Sequence, residues 1–227
     1  MRTTGACRYT DCVLSLTSTL ITIVVNVAYV VDVLRHNLGL AALLIVLPYL
    51  LSNLASVSML ALSLFSKPIK TDNRWSMFFV ALVASNMFAI LHFSGLELVN
   101  PDRNVPISLA AQVATLALVP VYVLAIFTLG RQLTVMPEAR KLVTRGPYSV
   151  SRHPLYVTYI IWHVLQVLVA QSLLIAALSA VMIALLIVRA LGEEAILAST
   201  FPEYAAYRER VGWIGRWSPR FTYRNAH

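Results

Sequence analysis

Charge is scarce in this chain: Asp, Glu, Lys and Arg make up 12% of its 227 residues, against about a quarter in an ordinary soluble domain. Apolar residues make up 59% and the mean hydropathy is +0.74, which excludes a water-soluble globule and leaves an integral membrane protein. Cysteine is nearly absent. Cys7 and Cys12 are too few and too close to the start for a disulfide framework, and no Cys or His stands near them at metal-ligand spacing. Reduced cytoplasmic thiols and no metal site are therefore expected. The chain also lacks a Gly-x-Gly-x-x-Gly turn after a strand, a P-loop, a His-Glu-x-x-His pair and a Gly-x-Ser-x-Gly elbow. Any cofactor is thus held by something other than a Rossmann domain.

What is present is a series of apolar stretches long enough to cross about 30 Å of hydrocarbon. They run over 13–34, 39–65, 75–96, 107–130, 155–170 and 172–191, and the last two abut at Gln171-Ser172, as in a tight helical hairpin. The expected fold is all-α, a polytopic transmembrane bundle of five to six spans. The first stretch lacks a small-x-small cleavage site and is followed by more spans, so it reads as a transmembrane helix rather than a removed signal.

The net charge of +8 suggests nucleic acid in a soluble protein, but here its distribution sets topology. With six spans, sixteen of the eighteen Lys and Arg residues fall on one side, and only Arg35 and Arg103 on the other. The positive-inside rule then makes both termini, the 131–154 loop and the tail cytoplasmic. An odd number of spans would move the basic tail outside.

The information is unevenly spread. Residues 1–104 read as scaffold helices, with Asn26, Asp32, Asn53, Asn86 and His92 as polar groups at or near membrane depth, where helix-helix hydrogen bonds are the expected use. Residues 105–227 carry the chemistry: the loop 131–154, a hairpin 155–191 and an amphipathic tail 192–227. Pro137, Gly146 and Pro147 keep a long regular helix out of the loop, and a connection of this length is usually functional or disordered.

His153 precedes Pro154, which suits the first turn of a helix. The free N–H groups of that helix end favour an anion, so a ligand carboxylate or phosphate is one expected occupant beside Arg152. Tyr156, Tyr159, Ile160 and His163 share a helical face. They read either as part of a site or as an interfacial aromatic belt with one buried histidine. Arg189 and Glu193 stand four apart, as an ion pair would, yet a second acid, Glu194, adjoins them. Two acids near a helix end suit a ribose diol or a ligand ammonium, and Arg189 suits an acceptor carboxylate. The tail interleaves Tyr204, Tyr207 and Trp213 with arginines. It reads as a segment lying on an anionic leaflet, or as a lid.

Taken together, Leu142-Val143-x-x-Gly146-x-Tyr148, Arg152-His153-Pro154-x-Tyr156, Glu193-Glu194-x-x-Leu197 and Phe201-x-x-Tyr204-x-x-Tyr207-x-x-x-Val211 resemble the isoprenylcysteine carboxyl methyltransferase family of membrane methyltransferases, itself similar to phospholipid amine methyltransferases. The resemblance covers residues 130–219. It implies that S-adenosyl-L-methionine binds in a cytoplasmic C-terminal pocket while a lipophilic acceptor enters from the bilayer. Cofactor contacts would fall on Arg140, Lys141, Leu142, Val143, Gly146, Tyr148, His153, Pro154, Leu155, Tyr156, Glu193 and Glu194, and Arg189 would face the acceptor as the catalytic residue. Thr158 and Pro202 depart from the pattern, each standing where members commonly have Gly. A carboxylate or thiolate acceptor is already nucleophilic, so no strong base is required; an amine or neutral thiol would need one, for which Glu193, Glu194 and His163 are candidates. The C-terminal half is also similar to membrane sterol reductases, which implies NADPH as the alternative cofactor. A scaffold or transporter, in which His153 and the acids only cap helices, is the third reading. Membrane lipids are expected partners and nucleic acid is not. The acceptor's identity and the oligomeric state stay open.

Overall fold

A computed structural model of the chain describes residues 99–130, 138–139 and 141–215 continuously, together with scattered positions between 17 and 57 and the pair Lys70–Thr71. Its continuous helices are α1 (Val105–Leu129), α2 (Pro154–Ala170), α3 (Leu173–Thr200) and α4 (Tyr204–Arg210). A single 3-10 turn, Gly146–Ser149, interrupts the loop before α2. The described positions of 17–35 and 46–57 are helical, with Val30 and Val46 buried against Tyr29, and they fall largely within the first two apolar stretches. The expected 75–96 span lies outside the described residues.

Local sequence accounts for each boundary. Asn104 caps α1 by accepting the Ile107 N–H at 3.1 Å, proline opens the helix, and Gly130 closes it at φ 56. The buried residues Ser108, Ala111, Thr115, Val119, Tyr122, Ala125 and Ile126 recur at three- and four-residue steps, so one stripe faces the other helices. Proline likewise opens α2 after His153. Gln171, in the left-handed region at φ 49 and ψ 39, turns the chain directly into α3, and this is the tight hairpin expected from the abutting apolar runs.

α1 and α3 are each long and apolar enough to cross a membrane, and α2 is a shorter apolar helix. One boundary is corrected. The sequence reading ended the last span at Leu191, where hydropathy falls, but α3 continues through Glu193 and Glu194 to Thr200. Loss of hydropathy is not loss of helix propensity, and Glu, Ala, Ile and Leu carry the helix onward. The two acids therefore sit inside a helix whose last turns project beyond the apolar part.

At the end of the bundle away from His153 the helices are clasped through polar groups. The Asn104 N–H donates to Gln171 Oε1 and Gln171 Nε2 donates to the Asn104 carbonyl, both at 2.9 Å, and Ser108 Oγ donates to the Val169 carbonyl. At the other end a two-residue antiparallel pairing, β1 (Lys70–Thr71) with β2 (Glu138–Ala139), joins two loops that the charge reading puts on one side. Gly146, at φ 59, approaches the end of α1 closely: a Cβ there would lie 3.0 Å from Thr128 Oγ1.

Candidate active site

The start of α2 and the projecting end of α3 bring two acid clusters side by side. In the first, Tyr156 donates its hydroxyl to Glu193 Oε1 in a short hydrogen bond and accepts one from Arg189 Nε at 3.0 Å. Arg189 Nε also lies 3.4 Å from Glu193 Oε1. The expected ion pair is thus present, but a phenol is set into it. Arg189 is buried, whereas the Glu193 side chain is 29% exposed, so the carboxylate faces the open side of the cluster.

In the second cluster Glu194 Oε1 is the common partner of His153 Nε2 at 2.9 Å, the Trp213 indole N–H at 2.8 Å and Arg152 Nη1 at 3.2 Å. Sequence reasoning expected a ligand anion beside Arg152 and His153; the structure puts the Glu194 carboxylate of the chain itself there. An ionised carboxylate only accepts, so Nε2 of His153 carries the proton, and in the neutral ring Nδ1 is an acceptor. With Nε2 committed to Glu194, Nδ1 is the ring nitrogen left to meet a ligand.

Leu142 and Tyr148 reach the site from behind. Leu142 packs with Leu197 and Phe201 against buried Tyr204, Tyr207 and Val211. The Tyr148 carbonyl accepts the Tyr207 hydroxyl at 2.6 Å, which fastens the 3-10 turn to α4. Burial, and after it the charge of Glu193, hold the Tyr148 phenol well above its ordinary range.

The other candidates scatter around this centre. Val143 is half-buried, Lys141 is exposed, and Gly146 serves the close approach to Thr128. Pro154 is buried at the head of α2, while Leu155 packs against Tyr122 and Ile126 of α1, between the helices. Arg140 lies outside the described residues. Thr158 is buried and turns its hydroxyl onto the Pro154 and Leu155 carbonyls of its own helix. Pro202 stands exposed in the turn before α4.

Two contributors escaped the sequence reading. Tyr122, one phenol in a long apolar run, meets Tyr159 hydroxyl to hydroxyl at 3.0 Å, so Tyr159 is a helix-helix contact as well as a neighbour of the site. Ser151 donates its hydroxyl to the Trp213 carbonyl and accepts the His153 N–H, which fixes the histidine's backbone. Tyr122 lies 37 residues from Tyr159 and Ser151 lies 62 from Trp213, so no local pattern points to either contact.

Residues 109–199 match the isoprenylcysteine carboxyl methyltransferase (ICMT) family. The chain carries an ICMT-family segment. It takes in most of α1, all of α2 and all but the last residue of α3, and with them His153, Tyr156, Arg189, Glu193 and Glu194. The chain is also similar to the cobalt-zinc-cadmium resistance protein CzcN of Cupriavidus metallidurans, 41% identical over 73 residues, which are 31% of this chain and 33% of that protein. It is 36% identical over 90 residues to the nickel-cobalt-cadmium resistance protein NccN of Alcaligenes xylosoxydans xylosoxydans, 38% of each. The chain thus spans little more than a third of the length of these curated relatives. The matched segment supports a link to ICMT-like membrane methyltransferases, and it contains most of α1 and α3, the two described helices long and apolar enough to cross a membrane.

Proposed function

We propose that the protein is a multi-pass membrane methyltransferase that takes its methyl group from S-adenosylmethionine and passes it to a lipophilic acceptor entering from the bilayer, the carboxylate of an isoprenylcysteine-like molecule before a thiol or amine. The observation that carries the reading is the convergence of Tyr156, Arg189 and Glu193 with His153 and Glu194 at one end of an ICMT-family helix hairpin. The site, the basic loops and both termini lie on the cytoplasmic side in this proposal.

The residues present suit that cofactor. Its ammonium and ribose diol call for acceptors, which the partly exposed Glu193 supplies, and its carboxylate calls for N–H donors, which the first turn of α2 supplies. When bound, it contributes a methyl group on a positively charged sulfur. The chain's own residues do the rest. Arg189, held by Tyr156 and Glu193, orients the acceptor, and Tyr204, Tyr207 and Val211 close the site from behind against water. Positioning of this kind supplies about 7–11 kcal/mol in well-oriented reactions, so a dedicated general base is dispensable for an acceptor that arrives ionised.

NADPH is the less favoured cofactor. Its phosphates need cations, and Arg152 and Arg189 are engaged by Glu194 and Glu193. Among the described residues no group of three or more His, Cys, Asp or Glu is placed to hold a metal ion, so the family segment and not a metal site supports the reading.

The test is calorimetric titration of the detergent-purified protein with S-adenosylhomocysteine and, separately, NADPH. Saturable binding of the first alone, lost in His153→Ala and Glu193→Ala and kept in Arg189→Ala with loss of turnover, is the expected result. Binding of NADPH alone would move the site to the reductase reading, and binding of neither would return the scaffold reading.

A further inference from the structure

After α4 the chain turns back across the site. Val211 is buried with Tyr204 and Tyr207; the Gly212 carbonyl accepts the Arg152 N–H at 3.0 Å, and the Gly212 N–H closes a turn on the Gly215 carbonyl, with Gly215 at φ 80. Between those glycines stands Trp213. Its carbonyl takes the Ser151 hydroxyl, its indole N–H donates to Glu194 Oε1, and its ring lies 4.7 Å from the His153 imidazole, tilted by 52°. A tail resting on a lipid surface would spend that N–H on headgroups or water. Here it is spent on the oxygen that holds His153.

We infer that Trp213 is a positioning residue of the site and that residues 211–215 form its cover. The indole fixes Glu194 from one side while covering a face of His153, and so holds the imidazole in one orientation, with Nε2 on Glu194 and Nδ1 turned to the ligand. The ligand's identity rests on the methyltransferase reading. The latch itself does not.

The experiment uses the full chain in phosphatidylcholine nanodiscs, labelled with 5-fluorotryptophan, the Trp213 fluorine resonance being the one lost in Trp213→Phe. Solvent exposure of Trp213 is read from the shift between H2O and D2O, with and without Glu194→Ala, and S-adenosylhomocysteine affinity is measured for Trp213→Phe and Trp213→Ala. A shielded Trp213 that Glu194→Ala releases is expected. Trp213→Phe should weaken binding by about tenfold, the effect of one hydrogen bond to a charged group. Trp213→Ala, which also removes the ring from His153, should weaken it further, so that Phe partly rescues Ala. A Trp213 as exposed as free indole overturns the cover, and unchanged affinity in Trp213→Ala overturns the positioning role. A shielded, Glu194-dependent Trp213 in a protein that binds no S-adenosylhomocysteine upholds the latch and refutes the methyltransferase reading.

Discussion

Tyr156 and Arg189 meet across the α2–α3 hairpin, hydroxyl to Nε at 3.0 Å, from positions 33 residues apart. The phenol does two things at once: it accepts from the guanidinium and donates to Glu193. A carboxylate in its place could not donate to Glu193, and an ammonium could not accept from Arg189. Tyrosine is what this junction needs.

Tyr156→Phe therefore removes the acceptor that meets buried Arg189 Nε at 3.0 Å and keeps the 3.4 Å contact to Glu193. A hydrogen bond to a charged group contributes about 1.5–3 kcal/mol, and the variant should lose stability in that range. If Arg189 orients the acceptor, turnover should fall by about tenfold or more, with S-adenosylhomocysteine affinity changed less than about threefold. Methyl incorporation from labelled S-adenosylmethionine into a membrane extract, set beside calorimetry, separates the two. Equal losses of binding and turnover would show that Tyr156 serves the cofactor and not the acceptor side.

Gly146→Ala tests the contact between the loop and α1. The position has φ 59, which costs an L-residue about 1–2 kcal/mol, and the new methyl would meet Thr128 Oγ1 at 3.0 Å and Cγ2 at 3.1 Å. Thr128→Ala should recover the steric part and leave the backbone part. A double-mutant cycle in thermal unfolding reads the coupling directly. Additive effects would mean that the loop and α1 do not touch there.

How much of this was legible follows from which signals are local. The apolar run 107–130 and Pro154 are local signals, so α1 and the start of α2 were legible to within a couple of residues, as was the hairpin at Gln171-Ser172. The end of α3 did not, because hydropathy reports the membrane boundary whereas the helix stops only at Phe201. Arg189 and Glu193 are one turn apart and pair visibly in sequence. The Glu194 contacts to His153 and Trp213 span 41 and 19 residues, and nothing in the intervening sequence encodes them. They depend on the fold returning α4 and residues 211–215 to the head of α2.

Gln171→Ala should weaken the far end of the bundle without touching the site. Gln171 exchanges two hydrogen bonds with the Asn104 backbone, and each contributes about 0.5–1.5 kcal/mol, toward the low end because both are exposed. Gln171→Gly relieves the left-handed backbone but still lacks both bonds, so it should fall between wild type and Ala. Thermal unfolding measures the loss, and S-adenosylhomocysteine affinity should be unchanged in both. A drop in affinity would couple the clasp to the site through the whole length of α2.

The docking of α4 should fail at high pH, and the sign follows from two phenols. Burial, and then the negative charge of Glu194 against the opposing Arg152, pushes Tyr204 up to about 12. Burial, and then Tyr204, pushes Tyr207 up to about 12. The ordinary value is about 10. Between these values the unfolded segment has released protons that the docked one still holds, so stability present below pH 10 is lost as pH rises toward 12. Structure gives the reason: a tyrosinate at 207 cannot donate to the Tyr148 carbonyl. Absorbance at 295 nm should show a late-titrating step missing one phenol in Tyr207→Phe. That variant should have lost part of its stability already at pH 8, since it lacks the bond throughout, and its residual loss between pH 10 and 12 should be smaller than that of wild type. If Tyr207→Phe titrates like wild type, Tyr207 is solvated and α4 is not held against the 3-10 turn.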